Sequence, residues 1–318
     1  VEVSLQDGSS ALGSMAQVNL TKPDTDLYGV ANGRNPLEVL VPAFTVKTIE
    51  QSTPFAGASN GLTVTLTSNY HLADGSNVTI TGLTGSQTPS SSSFSVQSSP
   101  SKLGTSGVWN DDGTLILTAS SGGVTSNTST EVTFTLINTA GNQNSPSVSV
   151  QATIQDGSGT SIGTIAQAGM ELNGAALYEV SDGYKPLQVV VPVFSVSAVG
   201  QSTPVAGESN VLTVTLECST NQIPAGSIIT VTGLSGSSTG TDGSLPVTRN
   251  PTGGIPGQGD WNIGGTLKLT VNGTGLAKSN TYTAAITVTN PTVDQSSPVV
   301  GVEVSLQDGS SALGSMAQ

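Results

Sequence analysis

The chain has 318 residues, a mass of 31.7 kDa and 21 acidic against 8 basic side chains, for a net charge of −13. Its length suits about two domains, and so acidic a chain lacks the Lys/Arg footprint that phosphates require, which sets nucleic acid aside as a partner. Charged residues make up 9 % where an ordinary soluble domain carries about 25 %, and Ser with Thr fill the gap at roughly a quarter of the chain.

In chain order, residues 1–43 read as the end of a preceding repeat followed by a linker. Residues 1–6 form the tail of a strand whose homologue closes a sandwich, and Asp7-Gly8 is a turn signal. Residues 44–154 read as a first β-sandwich. Leu62, Val64 and Leu66 alternate with Thr63, Thr65 and Thr67, and Val132, Phe134 and Leu136 oppose Thr133 and Thr135, the period of half-buried strands. Turns fall at Asn60-Gly61 and Asp112-Gly113. Residues 155–194 read as a linker too long for an ordinary loop, with a strand signal over 187–191 that predicts a hairpin. A short helix over 166–177 is opposed by Pro23 in the counterpart stretch. Residues 195–306 repeat the sandwich pattern through Leu212, Val214 and Leu216, and 307–318 begin a following repeat. The expected fold is therefore all-β: tandem immunoglobulin-like antiparallel β-sandwiches joined by a β-hairpin-like linker. Trp109 and Trp261 are expected in the core, a carbohydrate platform being the sharper alternative.

Self-comparison organises these elements. QSTPFAGASN at 51–60 returns as QSTPVAGESN at 201–210, and NPLEVLVPAF at 35–44 returns as KPLQVVVPVF at 185–194, both shifted by 150. Residues 1–17 are identical to 302–318, whereas the middle copy near 150–167 agrees at roughly half its positions, as neighbouring repeats do. The full period is then 301 residues, a pair of unlike modules. Either the chain is a window on a longer polymer that shows its seam twice, or its gene carries a higher-order duplication; stacked arrays favour the window. An isolated seam strand is an aggregation liability, relieved in a fibre by covalent continuity or by strand donation between chains. Beginning at Val1 without a basic-then-apolar leader, the sequence reads as a processed chain or a fragment.

Little in the sequence supports catalysis. His71 is the only histidine and reads as a loop residue; Cys218 is the only cysteine, which rules out an internal disulfide framework and leaves zinc without ligands. Three G-x-S-x-G matches, around Ser59, Ser161 and Ser238, read as turns, because none sits on a strand-to-helix elbow with a following histidine. Asn110-Asp111-Asp112-Gly113 has oxygens suited to calcium, but its repeat partner reads Asn262-Ile263-Gly264-Gly265. No catalytic, cofactor-binding or metal residue is assigned, and no cofactor is expected. No apolar run reaches membrane-span length, the most apolar stretch, 189–194, being short and broken by Pro192. Modification is the chemistry the sequence suggests. Asn19, Asn77, Asn127 and Asn272 open N-glycosylation sequons, and Thr88, Ser90, Ser91, Ser92 and Ser93 resemble an O-glycosylated stretch. Glycans would keep a charge-poor surface soluble.

The motifs as a set carry a resemblance. YGVANG from Tyr28, VPAFTV from Val41, QSTP from Gln51, LTVTLT from Leu62, TITGLTGS from Thr79 and Trp109-Asn110 before Gly113-Thr114-Leu115 resemble tandem repeats in very long cell-surface proteins of unicellular algae and other protists. The resemblance spans both modules and carries no catalytic residues. It implies an extracellular or cell-surface setting. The expectation is a structural building block of an extracellular fibre or surface appendage that associates with itself, end to end or by strand donation, and bears covalent glycans. An adhesin-like stalk or carbohydrate-binding module is the alternative.

Overall fold

The computed structural model describes residues 1–8, 10–308 and 311–317. A first hairpin, β1 (Val3–Asp7) and β2 (Ser10–Met15), forms a two-stranded sheet of its own. The first module follows as β3 (Phe44–Gln51), β4 (Ser59–Ser68), β5 (Asn77–Thr81), β6 (Ser91–Ser99), β7 (Ser106–Asn110), β8 (Thr114–Thr118), β9 (Thr130–Ile137), β10 (Ser149–Gln155), β11 (Ser161–Gly169) and β12 (Glu171–Leu172). The second contains β13 (Phe194–Gln201), β14 (Ser209–Cys218), β15 (Ile228–Thr232), β16 (Asp242–Asn250), β17 (Gln258–Asn262), β18 (Thr266–Thr270), β19 (Thr281–Thr289), β20 (Gly301–Asp308) and β21 (Ser311–Ala317). The described residues contain no helix long and apolar enough to cross a membrane.

Each module is one sheet curled into two facing layers. In the first the order is β11-β10-β5-β8-β7-β6-β9-β4-β3-β12. Strand β6 turns the corner: Ser91, Phe94 and Ser95 pair with β7, whereas Val96 to Ser99 pair with β9. The alternation read along the sequence decides which side chains enter the space between the layers. Leu62, Val64 and Leu66 of β4 are buried while their threonine neighbours are half-exposed, and each aliphatic chain so buried contributes about 1.5–3 kcal/mol. Trp109 and Trp261 sit fully buried at equivalent positions. Each donates its indole N–H to a backbone carbonyl, Thr88 at 3.0 Å and Thr239 at 3.2 Å, the satisfaction that a buried indole needs.

Two features depart from the expected organisation. Strand β11 lies in the stretch expected as linker, yet it pairs with β10 from Ser149↔Gly169 to Gln155↔Ser161. Its weak alternation hides it, since one residue, Ile165, is buried there. After Met170 the same run crosses to the opposite end of the order, where β12 pairs in parallel with β3 through Glu171↔Thr48 and Leu172↔Ile49. Lys47 and Glu171 pair at 3.6 Å on this seam. The first module is thus closed on itself by one continuous segment. Likewise β21, expected to begin a following repeat, pairs with β20 inside the second module.

Candidate assembly interface between modules

The expected hairpin over 187–191 is not formed. Pro186 and Pro192 flank the run, and Leu187 has φ of 55°, which breaks an extended strand. The segment is instead a tight loop. Leu177 and Val180 exchange backbone hydrogen bonds of 3.1 and 3.0 Å. A Cβ at Gly183 would meet the Leu177 nitrogen at 2.7 Å, so glycine is required there. Tyr178, Glu179, Asp182 and Leu187 all lie in the left-handed region, with φ between 51 and 59°. That backbone is unfavourable for residues with a Cβ.

The loop contacts both modules. Facing backwards, the loop plugs a groove along β3 of the first module, with Leu187 fully buried. Gln51 organises the groove. Its Nε2 donates to Gly183 O at 2.8 Å and Gln188 O at 2.9 Å, and its Oε1 accepts from the Leu187 N–H at 2.8 Å. Asn60 holds that amide in place, donating to Gln51 Oε1 at 2.7 Å and to Asn138 Oδ1 at 2.8 Å. On the other wall, Ser145 donates its hydroxyl to Pro186 O (2.7 Å) and its N–H to Gln188 Oε1 (2.9 Å). Val189 exchanges two 2.8 Å bonds with Gln143, and Val190 bridges to Phe55. No fully buried side-chain nitrogen or oxygen in this groove lacks a partner among the described residues, the condition for burying it without a penalty of about 1–3 kcal/mol apiece.

Facing forwards, the loop sits on the second module. Gln222 N–H donates to Tyr178 O at 2.8 Å, and the Tyr178 hydroxyl donates to Asp308 Oδ2 at 2.9 Å. Burial, with the Asp308 hydrogen bond second, raises the Tyr178 pKa far above the usual phenol value. Phe55, from the first module, stacks on Tyr178 with centroids 5.4 Å apart and joins the second module's core beside Leu313 and Met316. The loop is therefore a wedge gripped by both sandwiches.

The sequence-predicted modification sites lie apart from this wedge. Asn19 is exposed ahead of β3, Asn77 opens β5 with its Oδ1 accepting from Thr118 Oγ1 at 2.8 Å, and Asn127 and Asn272 are exposed in turns. Thr88 and the serines after it gather beside Trp109. The Thr88 hydroxyl accepts from the Ile137 N–H at 2.7 Å, and Ser90 Oγ accepts from the Asp111 N–H at 2.9 Å. Ser91, Ser92 and Ser93 belong to β6, with the last two exposed. Cys218 is buried with Sγ 3.3 Å from Asn221 Oδ1. Among the described residues no three His, Cys, Asp or Glu side chains gather as a metal group would require. The amide network of Gln51, Asn60 and Asn138 was not singled out from the sequence. Its signal is the return of Gln and Asn at fixed places in both QSTP motifs.

Comparisons with known proteins add little. No family model and no curated protein matches the chain. Among solved structures it overlaps the secreted serine protease VesC from Vibrio cholerae at 14 % identity and a TM-score of 0.18, covering 85 % of this chain and 51 % of that one. The chain thus spans about half the length of the Vibrio protein. A second overlap is with a structure titled as manganese lipoxygenase of Gaeumannomyces graminis with partial zonadhesin of Komagataella pastoris, at 13 % identity, TM-score 0.22, and 86 % and 92 % coverage. Likeness at this level transfers neither fold nor activity.

Proposed function

We propose that this chain is a structural building block of an extracellular fibre or surface appendage, a tandem array of immunoglobulin-like sandwiches bearing glycans. The immunoglobulin-like reading is supported by two pairings: β4 with β9 and β5 with β10 correspond to strands B–E and C–F of that fold. Between them β6, β7 and β8 run through the layer in the order opposite to a variable domain. The observation that carries the function is the two-faced wedge: a loop whose polar and apolar groups are committed to the modules on either side makes a joint with a set angle, as an array in line requires. The Ser- and Thr-rich surface supports sugar attachment and an extracellular place.

Electron microscopy of native material tests this reading. Filaments with an axial repeat matching one 301-residue module pair, with density beyond the side chains at Asn19, Asn127 or Asn272, are the expected result. Discrete two-lobed particles would overturn it.

A further inference from the structure

We propose that an open groove on the second module is a socket for residues 34–41 of a second copy of this chain, so that copies join head to tail through the joint already seen between the two modules. This deepens the building-block reading and rests on it for its use in the organism.

The socket is the counterpart of the filled groove. A cleft of about 570 Å³ runs beside β13, lined by Gln201, Asn210, Asn290, Asp294, Gln295 and Ser297. These match Gln51, Asn60, Asn138, Asn142, Gln143 and Ser145 in the repeat. Its amides are already set: Asn210 donates to Gln201 Oε1 at 3.0 Å and to Asn290 Oδ1 at 2.8 Å, and Gln295 holds Ser235 O at 2.9 Å as Gln143 holds Thr84 O at 3.1 Å.

The plug is the first linker loop. It has the backbone of the buried one: Leu27 and Val30 exchange the same pair of bonds, and Tyr28, Asn32 and Leu37 have φ of 52, 56 and 62°. Yet Leu37 is 95 % exposed where Leu187 is 0 % exposed. A leucine held in left-handed backbone with its side chain in water is shaped for a partner, and little ordering remains to be done on binding. Its forward face is already committed, His71 N–H donating to Tyr28 O at 2.9 Å as Gln222 does to Tyr178.

Substitutions between the loops preserve the fit. Glu38 replaces Gln188, whose contact with Ser145 uses an acceptor oxygen, and Asp294 replaces Asn142, whose Oδ1 accepts the Val191 N–H. A carboxylate serves in both roles. Bulk is exchanged across the joint: Phe55 meets Val190 in the formed joint, while the smaller Val205 stands opposite the larger Leu40 in the vacant one. The second contact of the joint is free at both ends as well. Val205 is 56 % and Ile162 42 % exposed, against 0 % and 6 % for Phe55 and Leu313, their counterparts.

Complementary variants test the joint by sedimentation velocity. The unmodified 318-residue chain is expected to form concentration-dependent open oligomers. Leu37→Asp removes the plug and Gln201→Glu replaces the donor aimed at two carbonyls; both residues are exposed, so folding by circular dichroism should be unchanged. Each variant alone should associate at least about tenfold more weakly, whereas a mixture should stop at a 1:1 heterodimer, one good plug in one good socket. A chain monomeric at every concentration, or variants that associate like the parent, overturns the proposal. Filaments in native material together with such variants would reject this joint alone, whereas absence of filaments with a 1:1 mixed dimer would reject the fibre and keep the joint.

Discussion

The edge of the first module at β3 and the edge of the second at β13 start from nearly the same residues and end in different states. Ile49, Gln51 and Phe55 are buried beneath the linker loop, while Val199, Gln201 and Val205 face solvent. The hairpins repeat the contrast with no sequence difference at all. Residues 1–17 and 302–318 are identical, and both hairpins carry a register shift at the same place, Leu5/Gln6 and Leu306/Gln307, with Gly13 and Gly314 at φ of 135 and 139°. Val3 and Leu5 are nonetheless exposed where Val304 and Leu306 are buried against β15. Local geometry therefore travels with the sequence, and burial travels with the neighbour.

Matched substitutions break this comparison most sharply where burial differs most. Leu187→Ala should cost the first module about 2–5 kcal/mol, the usual range for emptying a closed leucine site, while Leu37→Ala should stay within about 0.5 kcal/mol. Denaturant unfolding of the monomeric chain reads both, and equal shifts would mean that the loop does not brace the module it plugs. A smaller asymmetry is expected for the amides. Gln51→Ala strips partners from the Leu187 N–H and from two carbonyls, about 1–3 kcal/mol. Gln201→Ala removes one hydrogen bond from Asn210, less than about 1 kcal/mol.

How much of this was legible depends on the range of the interaction. Strands with strict alternation, such as β4 and β14, and the two core tryptophans could be read directly, because period-2 burial is written in neighbouring residues. Closure of the first module could not. Residues 161–172 hold one strongly buried strand position, and their pairing with both β10 and β3 is a long-range event that leaves little local period. The run 187–191 misled for the opposite reason: five apolar-rich residues look like a strand whether they extend a sheet or fill a groove. The serine-rich stretch at 91–93 belongs to β6, where Phe94 and Val96 alone anchor a strand otherwise made of hydroxyls and one amide. The socket was half visible, since the Gln and Asn of both QSTP motifs repeat, but only the filled copy shows what those amides bind.

The finest contrast lies on the forward face of the two loops. The Tyr178 hydroxyl donates to Asp308, whereas the Tyr28 ring stacks on Tyr70 at 5.7 Å and its hydroxyl makes no hydrogen bond among the described residues. Tyr178→Phe should therefore cost about 1 kcal/mol and Tyr28→Phe less. Alkaline pH sharpens the difference. Because the folded state raises the Tyr178 pKa, it holds that proton more tightly than the unfolded chain, whose phenol ionises near pH 10. The contribution is complete below about pH 10 and is lost as pH rises beyond it. Thermal melts of the parent should decline more steeply above that point than those of Tyr178→Phe. Parallel curves would mean that the Asp308 contact does not hold the wedge to the second module.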